Sequence, residues 1–355
     1  MKPEASPREA SVAHARPNLA AVAAMAGVSA STASLAFSGA GPVSDATRAK
    51  VLAAAEKLNY PGPDPRAQSL RRGRSGIIGV IIEDRLRDAF RDPINIAMLD
   101  GIADELGTAG LSLLLLTETG GGNSTISDAP MDAVILVGCS TQMDRSVTVF
   151  RQRGIPIVAI EAAPMPGVFP VDLDNREATA RGARHLASLG HRRVAMVSLP
   201  LEPSHERGAI TRERELASSG HTATQRILGG RDVFPDLWGV VSAGSFVEEG
   251  VIAGRELLSA AVRPTAVIAQ SDLLAVGVIR AAEELGISVP EQLSVLGFDG
   301  VHLEGLAPHE LTTLVQPAVD KGAAAGRAVV ALLDGERPPA SSFESTLQIG
   351  NTTGP

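Results

Sequence analysis

Arginine is the side chain most densely placed for chemistry in this 355-residue chain. The stretch PGPDPRAQSLRRGRS, Pro61–Ser75, sets Arg66, Arg71, Arg72 and Arg74 among three prolines. Guanidinium groups make paired hydrogen bonds to phosphate oxygens, so this stretch suits a phosphate-bearing partner. The overall charge is split in the same sense. Residues 1–75 carry ten Lys/Arg against five Asp/Glu, about +5, and the remainder carries about −13. A small basic head on a large acidic body implies that the head meets a polyanion.

Other chemistry is excluded by spacing. The seven histidines show no metal-ligand pattern, and His185 and His191, in HLASLGH, read as structural. The loop GGGN at Gly120–Asn123 lacks the strand–glycine–helix setting and the GK[ST] ending of a phosphate loop. No Ser–His–Asp arrangement is defensible. The single Cys139 follows VILVG and reads as a small buried hydrophobe; it excludes an internal disulfide and favours a reducing compartment. The expectation is therefore a protein that is not an enzyme, with no cofactor and no metal. No run of about 18 apolar residues occurs, so no membrane span is expected. Residues 1–16, MKPEASPREASVAHAR, lack the apolar core of a secretory signal. They read as a disordered arm on a cytoplasmic protein.

The elements that would carry the basic head are short helices. Asn18 caps a helix with Leu19, Val22, Ala23 and Ala26 at helical spacing, and Gly27 ends it. Ser29 caps a second helix through about Phe37. Ser44 caps a third, with Val51, Ala55 and Leu58 on one face. The layout is helix, tight turn, helix, the arrangement in which a second helix enters the DNA major groove. Its segment AAMAGVSASTASLAFSG, Ala23–Gly39, has no charge. Affinity for DNA would then come from phosphate contacts by flanking groups: Ser29, Thr32, Ser34, Arg48, Lys50 and the linker arginines. Beyond the linker the pattern changes. GIIGVIIE, LSLLLLT, MDAVILVG and IPIVAIE are apolar runs of the kind buried on both faces. They alternate with helices, and a second series follows from GARHLASLGH to LSVLGFD. Two such series imply two α/β lobes with parallel sheets. The tail KGAAAGRAVVALLDGERP adds one more helix.

From about Asn18 to the end, in register, these residues resemble the lac repressor (LacI/GalR) family of bacterial transcription regulators. The resemblance is carried by VAAMAGVSASTAS with VSDATRAKVLAAAEKLNY, HLASLGHRRVAMV, RILGG, AQSDLLAVGVIRAAEELGISVPEQLSVLGFDG and LTTLVQP. It implies an α/β protein with a small all-α helix-turn-helix headpiece and a two-lobed effector domain like periplasmic binding proteins. By that resemblance residues 1–16 are the arm, 17–62 the headpiece, 63–75 a hinge and 76–355 the effector-binding and dimerisation domain. The first lobe would hold about 76–172 and 302–330, the second about 173–301 and the C-terminal segment. The implied function is a repressor, a homodimer on double-stranded operator DNA, controlled by a small-molecule effector, a sugar or related polyol, between the lobes. A solute-binding protein without a regulatory role is the alternative; it would need a signal peptide and no DNA head. The C-terminal LQIGNTTGP lacks heptads, so no tetramerising coil is expected.

The resemblance also assigns residues. Ala30, Ser31 and Leu35 would face the bases, with Leu35 where the family usually has a polar side chain. Leu70, with Ala67 close by, would wedge the minor groove from a hinge helix; a plain flexible linker is the other reading. Arg226, Asp272 and Asp299 stand where the family places polar ligand contacts, Phe246 where an aromatic stacks on the ligand, and Ile94 and Asn95 on the opposing lobe. Each has a plainer reading: Arg226 on the surface, Asp272 as a helix cap, Asp299 as a turn residue and Phe246 as core. Gln316 reads as support for the crossover between lobes. If the wedge is real, Leu70→Ala weakens specific operator binding by roughly 1–3 kcal/mol and reduces the bend; unchanged affinity and bending in a circular-permutation gel-shift would exclude it.

Overall fold

The computed structural model describes residues 17–39, 41–64, 68–69, 73–82, 90–117, 126, 128–138, 144–303 and 306–355, without the side chains of 144–146. The expected hinge residues Ala67 and Leu70 lie outside the described residues, as do Cys139 and the GGGN loop. The chain divides into two compact units, Met1–Ser75 and Gly76–Pro355.

In the first unit, α1 (Leu19–Ala26), α2 (Ala30–Ser38) and α3 (Asp45–Lys57) start where their caps were expected. Asn18 accepts from the Ala21 amide, Ser29 from Thr32 and Ser44 from Thr47. Gly27 turns the chain at φ +66°, and α1 and α2 are bent by 101° across it. Val22, Ala33, Ala36, Val51 and Ala55 close a small core. Phe37 and Tyr60 seal it edge to face, with ring centroids 5.7 Å apart.

The second unit begins with β1 (Ile77–Ile82), α4 (Pro93–Thr108), β2 (Ser112–Thr117), β3 (Ala133–Val137), α5 (Asp144–Gln152), β4 (Ile157–Ile160) and β5 (Phe169–Leu173). There follow α6 (Asn175–Ser188), β6 (Val194–Ser198), β7 (Gly208–Ala209), α7 (Arg212–Ala217), α8 (His221–Arg231), β8 (Trp238–Val241), α9 (Val247–Leu258), β9 (Ala266–Ala269), α10 (Asp272–Glu284), β10 (Ser294–Asp299) and β11 (Thr312–Val315). Last come α11 (Ala318–Leu333), β12 (Ser341–Phe343) and β13 (Thr346–Gln348). The first lobe is a six-stranded sheet, β12-β5-β4-β3-β1-β2, with every pairing parallel. The second is seven-stranded, β13-β11-β10-β9-β6-β8-β7, parallel except for its two edge strands. Apolar clusters cover both faces of both sheets, which is why the strands read as unbroken apolar runs.

One expected boundary is corrected. The segment 302–330 does not all join the first lobe: β11 pairs with β10 in the second sheet, and the return begins only with α11. The C-terminal segment is divided as well, since β12 joins the first sheet and β13 the second. The chain therefore passes between lobes three times, near Asp174, Gln316 and Glu344.

Helix α11 reaches the first lobe through glycine. A Cβ on Gly322 would lie 2.1 Å from the Met98 carbonyl oxygen of α4, and one on Gly101 would lie 2.0 Å from that of Val319. Both backbones must therefore lack side chains where they cross. Gly322→Ala forces the helices apart and is expected to cost about 1–3 kcal/mol in urea unfolding; an unchanged midpoint would mean that the crossing is not tightly packed.

Candidate functional site

The strands of both sheets end at a common cleft. Ile82, Val137 and Glu161 reach it from the carboxyl ends of β1, β3 and β4, and Leu199, Gln270 and Asp299 from those of β6, β9 and β10. This is where open parallel sheets bind ligands. The cavity measures about 200 Å³. Four non-glycine residues among those described have left-handed backbone: Asn59, Glu161 (φ +55°), His205 (φ +53°) and Asp299 (φ +126°). Three of the four line the cleft. Such conformations cost on the order of 1–3 kcal/mol each and gather where function requires them.

The floor of the cleft is a buried ionic cluster. Arg226, on α8, is only 3% exposed, so it is not a surface arginine. Its Nε donates to Asn175 Oδ1 at 2.8 Å and its Nη1 to the Gln270 carbonyl. Its Nη2 lies 3.8 Å from Glu161, and Nη1 lies 3.9 Å from Asp299. The guanidinium also sits over the Phe298 ring, 3.5 Å from its centroid, a cation–π contact. Burial lowers the Arg226 pKa, yet a guanidinium remains charged in proteins. Glu161 accepts from Asn175 at 2.7 Å and from Lys321, which is wholly buried. Lys321 also donates to Gln316 Oε1, and Gln316 Nε2 donates to Asp299 Oδ1 at 2.6 Å. Burial pushes the Glu161 carboxyl up, but the charges of Lys321 and Arg226 and the bonds from Lys321 and Asn175 outweigh it, holding it at about 2. Asp299 goes the other way: burial, then the neighbouring carboxylates Asp272 and Asp92, push it up against the pull of Arg226.

The structure brings Ile94, Asn95, Arg226 and Asp299 together on the cleft wall. Asn95 is 8% exposed, and its side-chain amide makes no hydrogen bond among the described residues. Asp272 and Phe246 are not among the lining residues. Asp272 is fully buried and accepts from the Gly300 and Val301 amides and from Thr313, tying the turn after β10 to β11. Burial pushes it up to about 7 against those three donors. It does not cap α10; the cap is Ser271, which accepts from Leu274. Phe246 precedes α9 and lies under Arg91 of the first lobe, 5.1 Å from guanidinium carbon to ring centroid. Arg91 also bonds Glu248 at 3.2 Å, so this trio spans the two lobes beside the cleft.

Sequence reasoning passed over Glu161, Lys321, Asn175 and Gln270. A signal existed. IPIVAIE, TAVIAQ and LSVLGFD each end an apolar strand with a polar residue, and that position faces the ligand crevice in parallel sheets. Lys321 was visible only as one of two cations, with Arg327, in a largely apolar helix. Gln316 supports the crossover as read, and His191 is structural: its ring bonds Thr265, Ser294 and the Gly354 carbonyl.

In the first unit, Ala30, Ser31 and Leu35 lie on the exposed face of α2, with Thr32 and Ser34 half-buried. Ser29 is the cap, and its hydroxyl bonds those of Ser31 and Thr32, both at 2.8 Å. Arg48 is half-buried and donates to the Gly39 carbonyl at 3.3 Å, holding the C-terminal end of α2.

Two family models match. Residues 18–62 match that of bacterial regulatory proteins of the lacI family, and residues 183–353 that of the periplasmic binding protein-like domain. The chain is 31% identical over 359 residues to the HTH-type transcriptional regulator IpsA of Corynebacterium glutamicum, covering 95% of this chain and 97% of the relative. It is 30% identical over 308 residues to the ribose operon repressor of Escherichia coli, covering 85% and 88%. The crystal structure of a LacI-family regulator from Corynebacterium glutamicum superposes with a TM-score of 0.70 at 27% identity, covering 94% and 98%.

The low pKa of Glu161 has a consequence for stability. A depressed carboxyl contributes stability above its unfolded value, and that contribution is lost as pH falls through the folded one. The loss should be on the order of 3 kcal/mol between pH of about 5 and about 2. Asp299 and Asp272, raised in the fold, act in the opposite direction, so the effect is read as a difference. Urea unfolding of Glu161→Gln should show a flatter acid limb than the wild type; parallel limbs would mean that Glu161 is not held ionised.

Proposed function

Because this chain belongs to the lacI family of bacterial regulatory proteins, we propose that it is a repressor whose affinity for operator DNA is set by a sugar or related polyol in the cleft beside Arg226 and Asp299. The observation that carries this reading is the set of open hydrogen-bonding groups on both walls. Asn95 offers its amide from the first lobe. From the second, Arg226 offers Nη2, and Asp299 offers the oxygen not bonded to Gln316. An N–H donor at Nη2 and an oxygen acceptor on Asp299 are suited to vicinal hydroxyls, which both donate and accept. A relative, the ribose operon repressor, is named for a sugar.

A ligand that touches both lobes favours one relative arrangement of them, and by linkage any operator affinity that depends on that arrangement changes. The protein works as a homodimer, whose two-fold symmetry matches a roughly palindromic operator. Ala30, Ser31 and Leu35 meet the base edges, while Ser29, Thr32, Ser34 and the basic residues around them meet phosphates. Arg48 acts partly through the end of α2 that it holds. The cleft binds and releases its ligand unchanged, so no enzymatic step is assigned to it.

A gel-shift with the chain's own upstream DNA tests this. Binding should protect two half-sites, and the cognate sugar should change the affinity by about 5–150-fold, the usual range of allosteric coupling. Failure to bind that DNA, or binding that ignores every ligand that the body takes up, would overturn the reading.

A further inference from the structure

We propose that Arg91, with Phe246 and Glu248 opposite it, is a latch that holds the mouth of the cleft closed, an inference that rests on the cleft being the effector site. The contact joins the two rims directly. Arg91 precedes Asp92, which caps α4 by accepting from the Ile94 amide at 2.9 Å and lines the cleft beside Ile94 and Asn95. On the other lobe, Gly244 and Ser245 line the cleft just before Phe246, and Glu248 stands in the first turn of α9. The Arg91 guanidinium carbon lies 5.1 Å from the Phe246 ring centroid, and its Nη2 donates to Glu248 at 3.2 Å. The ring is folded back on its own chain: a Cβ on Gly244 would lie 2.5 Å from it. Phe246 is not among the lining residues, so the ring serves the opposite lobe.

Both halves of the latch are carried on helices locked into their own lobes. Helix α4 crosses α11 at Gly101 and Gly322, and α9 crosses α10 at Gly250, where a Cβ would lie 2.3 Å from the Leu274 carbonyl oxygen. A change in the distance between the backbones at Arg91 and Glu248 therefore requires the lobes themselves to move. The buried cluster joins the lobes at the cleft floor; the latch joins them on the solvent side, where the Arg91 and Glu248 side chains are 47% and 69% exposed. Contacts this exposed contribute little to folding. They are well matched to an equilibrium between two lobe arrangements, in which a bias of a few-fold is enough to shift the populations. A ligand seated between the walls supplies a bias of the same sign, so latch and ligand act in one direction.

Spin labels on the full chain test this, at Asp104→Cys in α4 and Glu256→Cys in α9, both exposed positions, in a Cys139→Ser background. An excess of unlabelled chain ensures that each pair of labels is read within one protomer. Double electron–electron resonance then gives the distance between lobes with no ligand added. Arg91→Ala, which removes both contacts, should raise the ratio of long to short distances by about five- to tenfold, and Glu248→Ala, which spares the ring contact, by about two- to fivefold. Glu248→Arg should open the lobes further by setting two cations face to face, and combining it with Arg91→Glu should restore most of the short distances. Added salt should lengthen the distances in the parent and leave Arg91→Ala unchanged, because the exposed pair is screened. Distances unaltered by both Arg91→Ala and Glu248→Arg would overturn the latch, as would a charge swap that leaves the lobes as open as Glu248→Arg alone. D-ribose, D-glucose and myo-inositol are then added to the Arg91→Ala chain. A polyol that binds the cleft should bring back the short distance, since it joins the walls in place of the latch. If none does so while the substitutions act as stated, the polyol reading fails and the latch stands.

Discussion

Lys321, Glu161 and Arg226 are charged groups withdrawn from water where the chain passes between lobes, and most of the cleft depends on their pairing. An unpaired buried charge costs several kcal/mol, so each member requires the others in place. Lys321 comes from the start of α11, Glu161 from the end of β4 and Arg226 from α8. Asn175, the first residue of α6, bonds both Glu161 and Arg226. Gln316, at the second crossover, bonds both Lys321 and Asp299. The cluster therefore ties the first lobe to the second at two of the three crossovers. The third is tied separately, by Asp174 accepting from the Ser345 amide and Arg181 donating to its carbonyl. Since breaking one partner of a buried pair costs more than the pair contributes, the cluster is better understood as specifying an arrangement than as adding stability.

The arrangement is costly in other ways too. Glu161, His205 and Asp299 hold left-handed backbone at the cleft. Such residues persist only where their surroundings over-determine them, and the surroundings here are rigid. Helices α4 and α11 cross at glycines, as do α9 and α10, where a Cβ on Gly277 would lie 2.2 Å from the Val247 carbonyl oxygen. The close approach of α11 to α4 carries Lys321 with it, one residue from Gly322. Packing in the body of each lobe thus holds the strain and charge displayed at its edge.

The DNA-reading unit follows a different economy. Its core is built mainly from alanine and valine, and the exposed face of α2 carries no charge. Its polar groups are largely occupied in shaping the helix: Ser29 caps it, bonding Ser31 and Thr32, and Arg48 holds its other end. Phosphate attraction supplies most of the affinity in such interfaces and shape supplies part of the specificity. An uncharged helix is compatible with both, provided that basic residues stand nearby in the chain.

Local chemistry was legible in the sequence alone. The caps at Asn18, Ser29 and Ser44, the stop at Gly27 and the alternation of apolar runs with helices depend on neighbours a few residues apart, and each was found where read. The register of the family motifs brought Arg226, Asp299, Ile94 and Asn95 to one cleft. The tertiary structure alone decided which polar residue meets which. Asp272 and Asp299 look alike in sequence, each beside the end of an apolar strand, yet three donors turn one inward and leave the other on the wall. Lys321 and Glu161 are 160 residues apart, and no local pattern pairs them. The expected lobes of β11 and β12 were wrong for the same reason: hydrogen bonding between strands is set by partners distant in the chain, which periodicity cannot identify.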